Sequence, residues 1–407
     1  MGFEAPSRPR TWLLYGREYH LDSFLQHHPG GDLALLLGCG RDATHLFEQY
    51  HLRPAAAAAA LAAHGGAPPP PPAPGAAFHA ELLAAARALP SGTKATWAHT
   101  ALCAAAGAAS AACWAGWARG SVPALLLLPF SQWLLSVNVA HDAGHFAFSA
   151  SPRANELLAL LSSPLLYHTS HWYLQHNVSH HGHTNELGAD IDLSHFAPWA
   201  RLSRAAPWRA LHAAQVSVVA AAFCTACVAE TLVFPFLAPC TRRQLGEAAH
   251  VHARTRAAGA LQLLASAAVL ALPLLRQPLP AALCFALYPF VVTSLLFMCV
   301  TQVSHVQEAA QRPQPRGTHW ARAQVASSLD YCQGSPLVTF LTGGLNSQGL
   351  HHALPFLSSS RFVDFYPTYR AICARHGVAL LETRGLGDSL GLFWAHIAAL
   401  AQKEVSL

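Results

Sequence analysis

Charge is what this chain most lacks. Asp, Glu, Lys and Arg make up 11% of its 407 residues, against about 25% in soluble globular domains, while 53% of its residues are hydrophobic. An ordinary water-soluble protein is excluded by that balance. The leader MGFEAPSRPRTWLLYGREYH holds no apolar run of the roughly 7–15 residues that a cleaved secretory signal needs, so the first segment is expected to start in the cytosol. Its Met-Gly start matches the opening of a myristoylation signal, but Pro6 and Arg8 argue against one. Nor do the 10 cysteines make a framework. Scattered through apolar stretches, they read as small buried side chains in a reducing compartment, and the one CxxC, from Cys224 to Cys227, lies in an apolar run unsuited to zinc or redox work. A net charge of +5 carried by dispersed arginines leaves no basic patch for nucleic acid.

Apolar runs are plentiful instead. Residues 96–118, 122–140, 213–238, 257–275 and 279–303 each approach the roughly 20 residues that cross a bilayer as helix. The first two are joined by the short connection 119–121 and the last two by 276–280, so each pair is expected to form a hairpin that returns the chain to the cytosolic face, just before His141 and just before His305. A crossing by 213–238 would put the later histidines on the opposite face. That run is therefore read as interfacial or packed against the body, ended by Pro235 and Pro239, which leaves four spans. Arginine placement agrees: Arg201, Arg204, Arg209, Arg242, Arg243, Arg254 and Arg256 fall on the cytosolic side, and the lumenal turns hold only Arg119 and Arg276.

Composition also divides the chain lengthwise. Residues 53–77 pass from an alanine run of high helix propensity to a proline tract that must be extended. The expected organisation is a small unit over 1–65, a stiff linker over 66–77 and a membrane body over 78–407. Near the end, a helix is expected from Pro367 to His376, with Gly377 as its stop.

Three histidine clusters stand out among 26 histidines. HDAGH places His141 and His145 one helical turn apart, and HNVSHH repeats that relation with His176 and His180 and adds His181. QGLHH supplies His351 and His352 behind Gln348, and His305 lies at the mouth of the last span. A lone histidine is more often a surface or satisfied residue, which is how His64, His79, His99, His212, His250, His252, His319, His376 and His396 are read. Three clusters on one face point to a shared metal site. Eight neutral nitrogens exceed the four that zinc takes, so two ions are expected. Imidazole suits iron, and an iron pair can use dioxygen against an unactivated C–H bond, given electrons one at a time.

The N-terminal unit is expected to deliver them. HHPGGD exposes His28 on a proline-glycine turn, and His51 follows 23 residues later in DATHLFEQYH. Two histidines can clamp a haem iron from both sides, leaving no open position for oxygen. His27 and His45 are the rivals.

On these residues, 11–61 resemble a cytochrome b5 domain, and the chain from about 95 onward resembles the membrane fatty-acid desaturases with three histidine boxes. The order of a fused cytochrome b5, HDAGH, HNVSHH and QGLHH resembles the front-end acyl desaturases and their sphingolipid relatives. The resemblance implies a mainly α fold, in which a small α+β haem domain precedes a polytopic helical body with a cytosolic histidine-lined cap. It implies axial ligation of haem b by His28 and His51, and a catalytic pair of non-haem irons held by His141, His145, His176, His180, His181, His351 and His352. His305 stands where the family carries a further ligand, and Gln348 is the front-end replacement for a histidine. Leu350 departs from the family's acidic residue in that box, and HALP replaces HLFP. A lost carboxylate of this kind is expected to cost about 10–100-fold where it orients a ligand. Asp142, Asp190 and Asp192 remain as acceptors for ligand rings, His171 and His183 are read as supporting or surface residues, and the glycosylation pattern at Asn177 is discounted as cytosolic.

The implied activity is the oxygen-dependent introduction of a cis double bond into a fatty acyl chain carried on coenzyme A or a phospholipid. Electrons would come from an NAD(P)H-cytochrome b5 reductase, in the endoplasmic reticulum or another endomembrane, plastids included. The rivals are a hydroxylase or sphingoid-base desaturase with the same metals, and a membrane haem protein whose second metal site is dead.

Overall fold

The computed structural model describes residues 10–64, 70, 75–237, 252–315 and 317–403. The Met-Gly start, most of the 66–77 linker, Pro239, Arg242, Arg243 and His250 lie outside them.

The N-terminal unit opens with a hairpin. Strand β1 (Trp12–Leu14) turns two alternate side chains inward and pairs antiparallel with β2 (Arg17–Tyr19). The turn residues Tyr15 and Gly16 both take positive φ, 53° and 74°, as a two-residue turn requires to match the strands' twist. Helices α1 (Asp32–Leu37), α2 (Thr44–Tyr50) and α3 (Pro54–Ala63) enclose a core of Trp12, Leu14, Tyr19, Leu36 and Leu61. Leu33 and Leu37 of α1 belong instead to the core of the membrane body. Helix α4 (Ala76–Arg87) also packs on the body, its Phe78, Leu82 and Leu83 clustering with Trp320, Phe362 and Tyr369.

The body follows. Helices α5 (Trp97–Ala118) and α6 (Val122–Gly144) form the first hairpin, capped at their starts by Thr96 and Ser121. Helix α7 (Pro152–Ala159) and α8 (residues 169–183) carry the chain across the histidine-bearing end. Helix α9 (Ala210–Phe236) precedes the second hairpin, α10 (Ala253–Arg276) with α11 (Leu279–Ser304). The two hairpins are tied together by Trp117, whose indole N–H donates to the Phe285 carbonyl at 3.0 Å. After them come α12 (Trp320–Ala326), β3 (Leu329–Tyr331), α13 (Pro336–Thr342), α14 (Gln348–Ala353), α15 (Phe362–Arg375), β4 (Leu381–Thr383) and α16 (Leu386–Ala401). Strands β3 and β4 pair in parallel.

By length and apolarity, α5, α6, α9, α10 and α11 are all able to cross a membrane. Helix α9 is tied to the body near both its ends. Near its start the Gln215 amide donates to the Ile397 carbonyl at 2.9 Å. Near its finish the Glu230 carbonyl accepts from the His168 N–H at 3.3 Å and its carboxylate from Gln175 at 3.2 Å.

Helix α15 corrects one expectation. It begins at Phe362, and Pro367 lies inside it. Burial of Phe362, Phe365, Tyr366 and Tyr369 along one face outweighs the bond that proline removes and the bias against helix at the residue before it. Gly377, with φ +63°, follows the helix as expected.

Candidate metal centre and haem cavity

Two stretches of wide, π-helical turn set the histidines. Residues Ser136–Ala140 are π-helical immediately before His141, and Tyr173–His180 are π-helical through the second box. Such turns bond i to i+5, so His176 shares a face with His181 as well as with His180. Their Nε2 atoms are 3.2 Å apart. The α-helical spacing expected from the sequence accounts for His180 alone, and the wider turn accounts for the adjacent pair.

The three boxes meet in two adjacent groups. His141, His145, His176 and His351 bring ligand atoms within 4.8 Å of one another, and His181 Nε2 joins them, 3.2 Å from both His176 Nε2 and His351 Nε2. His180, His305 and His352 form the second group. The Gln348 amide nitrogen lies 2.9 Å from His305 Nε2 and 3.4 Å from His352 Nε2. The rings of His181 and His352 stack at 4.1 Å and so join the two groups. All eight histidines and Gln348 are therefore in one place.

The outer nitrogens of three of them are anchored from behind. His305 Nδ1–H donates to the Ser327 carbonyl at 2.9 Å, His352 Nδ1 lies 2.7 Å from Gln324 Oε1, and His180 Nδ1 faces Asp190 at 3.2 Å and Asp192 at 3.4 Å. For the neutral His305 and His352 that contact leaves an Nε2 lone pair turned inward. The inward atoms are short of partners: both nitrogens of His141 and the Nε2 of His145 are buried without a hydrogen bond. Burial, reinforced by neighbouring imidazoles, pushes His176, His181, His351 and His352 well below the usual histidine range, so they are neutral. Burial also opposes charge on His180, but Asp190 and Asp192 overcome it and lift its pKa to about 9. The same field favours a cation there. Neutral lone pairs packed this closely are what cations such as iron would satisfy.

His180 forms a third close group with Asp190 and Asp192. Since its Nδ1 is the atom that faces them, a proton satisfies this contact without an ion. Asp142 departs from expectation. It accepts from the Ser358 hydroxyl at 2.8 Å and from the Ser359 N–H at 3.0 Å, fastening the first box to the loop after the third, and is bonded to no ligand ring. Leu350 is fully buried in the apolar cluster with Trp320 and Phe362, while Asp330 takes the neighbouring Gly349 N–H at 2.8 Å. His171 is buried against Phe234 outside both groups, and His183 is bonded to Glu186 at 2.9 Å. Asn177 is fully buried.

Gly144, inside the first box, is fixed by contact. A Cβ there would lie 2.3 Å from the Trp172 ring, and that ring stacks on His176 at 4.5 Å. Overpacking of this kind costs about 1–3 kcal/mol. Gly144→Ala is expected to lower the melting midpoint in detergent and reduce bound non-haem iron. An unchanged midpoint with full iron would show that Trp172 moves freely.

The N-terminal pair is also assembled. The rings of His28 and His51 face each other at 6.0 Å between centroids. Each Nδ1 is engaged with a backbone carbonyl, His28 with Gly31 at 2.8 Å and His51 with Phe47 at 2.7 Å, so both Nε2 atoms remain for a metal. They line an apolar cavity of about 610 Å³ with Leu21, Phe24, Leu46 and Phe47. The donor set and the cavity fit a haem held from both faces. The rivals are placed elsewhere: His27 is exposed, and His45 turns toward His183 and Trp320.

Known proteins were compared with this geometry. Residues 115–384 match the family model "Fatty acid desaturase", and residues 5–84 match "Cytochrome b5-like Heme/Steroid binding domain". This chain belongs to the fatty acid desaturase family. An acyl-lipid omega-13 desaturase of Chlamydomonas reinhardtii is 33% identical, over 98% of this chain and 94% of that protein. An acyl-lipid (8-3)-desaturase of Mortierella alpina is 27% identical, over 95% and 93%. A chloroplastic acyl-lipid (7-3)-desaturase of Chlamydomonas reinhardtii is 28% identical, over 96% and 81%. The desaturase described here is thus a membrane oxidoreductase with an N-terminal cytochrome b5-like domain.

Several residues that support this desaturase's site carry no sequence signal. Gln324, Thr184 and Tyr50 reach the ligand rings from elements far away in the chain. No spacing rule connects positions 28, 168 and 95 residues apart.

Proposed function

We propose that this chain is a front-end desaturase that removes two vicinal hydrogens from an acyl chain carried on a lipid, leaving a cis double bond. His141, His145, His176, His181 and His351 would hold one non-haem iron, and His180, His305 and His352 the other, with Gln348 beside the second. His28 and His51 would hold the haem in a unit spanning 1–65, joined by 66–77 to the body at 78–407. The convergence of eight imidazoles into two adjoining groups is the observation that carries this reading. The "acyl-lipid" names of the relatives support a lipid-bound substrate over a coenzyme A ester.

Bound irons would supply oxidation of an unactivated C–H bond by dioxygen, which with two electrons and two protons leaves as two waters. The chain's own residues do the rest. Ser327 and Gln324 keep the His305 and His352 rings oriented with Nε2 unprotonated, and Asp190 and Asp192 orient the His180 ring. The burial of every box histidine except His176, which is half-buried, keeps bulk water from the centre. An NAD(P)H-dependent reductase would feed the haem, and the endoplasmic reticulum membrane is the proposed location.

Yeast expressing the chain and fed single polyunsaturated acids provides the test. Gas chromatography with mass spectrometry is expected to find products two hydrogens lighter. Products carrying added oxygen would make the chain a hydroxylase, and no product with any acid would leave the haem-carrier reading.

A further inference from the structure

The N-terminal unit meets the body through the chain neighbours of the site residues themselves. Tyr50 precedes His51, Phe146 follows His145 and Asn177 follows His176, and all three line the 610 Å³ cavity that contains His28 and His51. The Tyr50 hydroxyl lies 2.8 Å from His145 Nδ1, and the two rings are nearly parallel, at 14°. In the tautomer that leaves His145 Nε2 free for a metal, Nδ1–H donates to the Tyr50 oxygen. One residue back, the fully buried Gln49 donates to the His181 carbonyl at 2.7 Å. One residue further, Glu48 accepts from the Trp320 indole N–H. Helix α2 therefore presents three successive side chains to the body, two of them to box residues.

A second contact lies at α1. Its Asp32 takes Arg254 at 2.7 Å and Arg153 at 3.4 Å. A unit that visited the body only transiently would have little use for a buried glutamine bonded to a box carbonyl, because undocking must rehydrate it each time. Loops and linkers allow swinging, but buried polar contacts specify one register.

We propose that Tyr50 is a positioning residue joining the two sites. It orients the His145 ring and fixes the N-terminal unit in a single docked register, so that electrons cross by way of one residue rather than by a unit swinging on its linker. The inference rests on the reading of the two sites given above. A haem held by His28 and His51 would supply one electron, and an iron held by the box histidines would accept it. A single electron moves, no bond of the chain forms or breaks, and Tyr50 is not itself oxidised.

Tyr50→Phe, made in the full-length holoenzyme, keeps the ring and removes the acceptor. The haem absorption spectrum is expected to be unchanged, since His28 and His51 are untouched. Reoxidation of the pre-reduced haem in the presence of dioxygen and substrate is expected to slow about 10–100-fold, the usual cost of losing a partner that orients a ligand. With that slowing, kcat falls while KM stays. In the metal-free full-length chain, hydrogen exchange over residues 44–50 is expected to be slow and to rise at least tenfold in the variant. A reoxidation rate within twofold of the unsubstituted enzyme would overturn the proposal.

Linker length gives a second arm that does not disturb folding. Ten Gly-Ser residues added at position 70 leave the rate unchanged for a docked unit, whereas a swinging unit slows as its effective concentration drops. A several-fold fall would overturn the docked register. Absence of non-haem iron from the unsubstituted enzyme is a different result, which defeats the reading of the histidine site instead.

Discussion

His180→Ala is expected to abolish double-bond formation, with loss of non-haem iron and an unaltered haem spectrum. His180 is one of three imidazoles in the second group, so its removal leaves His305 and His352 with Gln348 as the remaining donors there. Of the three rings in that group it is the one backed by carboxylates, Asp190 and Asp192. The fold should tolerate the change. Asp190 keeps two backbone donors when the ring is gone, the N–H of Asn185 at 2.8 Å and that of Asp192 at 3.1 Å, so no unpaired buried carboxylate results. The N-terminal cavity shares no lining residue with this group. Product measured by gas chromatography together with iron per haem checks the expectation. Wild-type product with two irons retained would remove His180 from the centre.

The complementary outcome is expected of His28→Ala. One face of the haem loses its ligand, the paired-histidine spectrum disappears, and activity driven by NAD(P)H and a reductase falls at least about 100-fold, since losing a ligand costs more than the roughly 10–100-fold of losing a residue that only orients one. Non-haem iron stays in place. His28 is the better choice than His51, because His51 is the neighbour of Tyr50 and its removal would disturb the junction as well as the haem. Gly30, two residues after His28, closes on the His28 ring, an added Cβ lying 2.9 Å from its Cε1, so the loop that presents this histidine is shaped around it. Stoichiometric haem of normal spectrum in the variant would assign the axial role elsewhere. Between them the two substitutions separate the sites: one empties the histidine centre and spares the haem, and the other does the reverse.

Much of this was legible because it is written in short spacings. HDAGH, HNVSHH and QGLHH place side chains on one face of a helix over fewer than seven residues, and a hairpin of two apolar runs must return the chain to the face it left. HHPGGD needs only its own proline and glycines to present His28. Other features had no such short-range code. The α15 start moved because Phe362 and Phe365 found a core to enter. Asp142 turned to Ser358 and Ser359, 216 and 217 residues away, rather than to a ring. The widening of α8 over Tyr173–His180 brings His181 beside His176.

By itself, then, the sequence determined that the chain enters a membrane, that a cytochrome b5-like unit precedes a desaturase body, and which histidines are in play. Local periodicity and turn chemistry placed the apolar runs and the histidines, and the resemblance of those short motifs to the cytochrome b5 and desaturase families supplied the rest, since all of these act between residues already close in the chain. Only the tertiary structure decided how the eight histidines divide into two groups, which residues stand behind their rings, and that Tyr50 of one unit touches His145 of the other. Those contacts join residues up to 210 positions apart in the chain, and packing of whole helices, rather than any spacing, selects them.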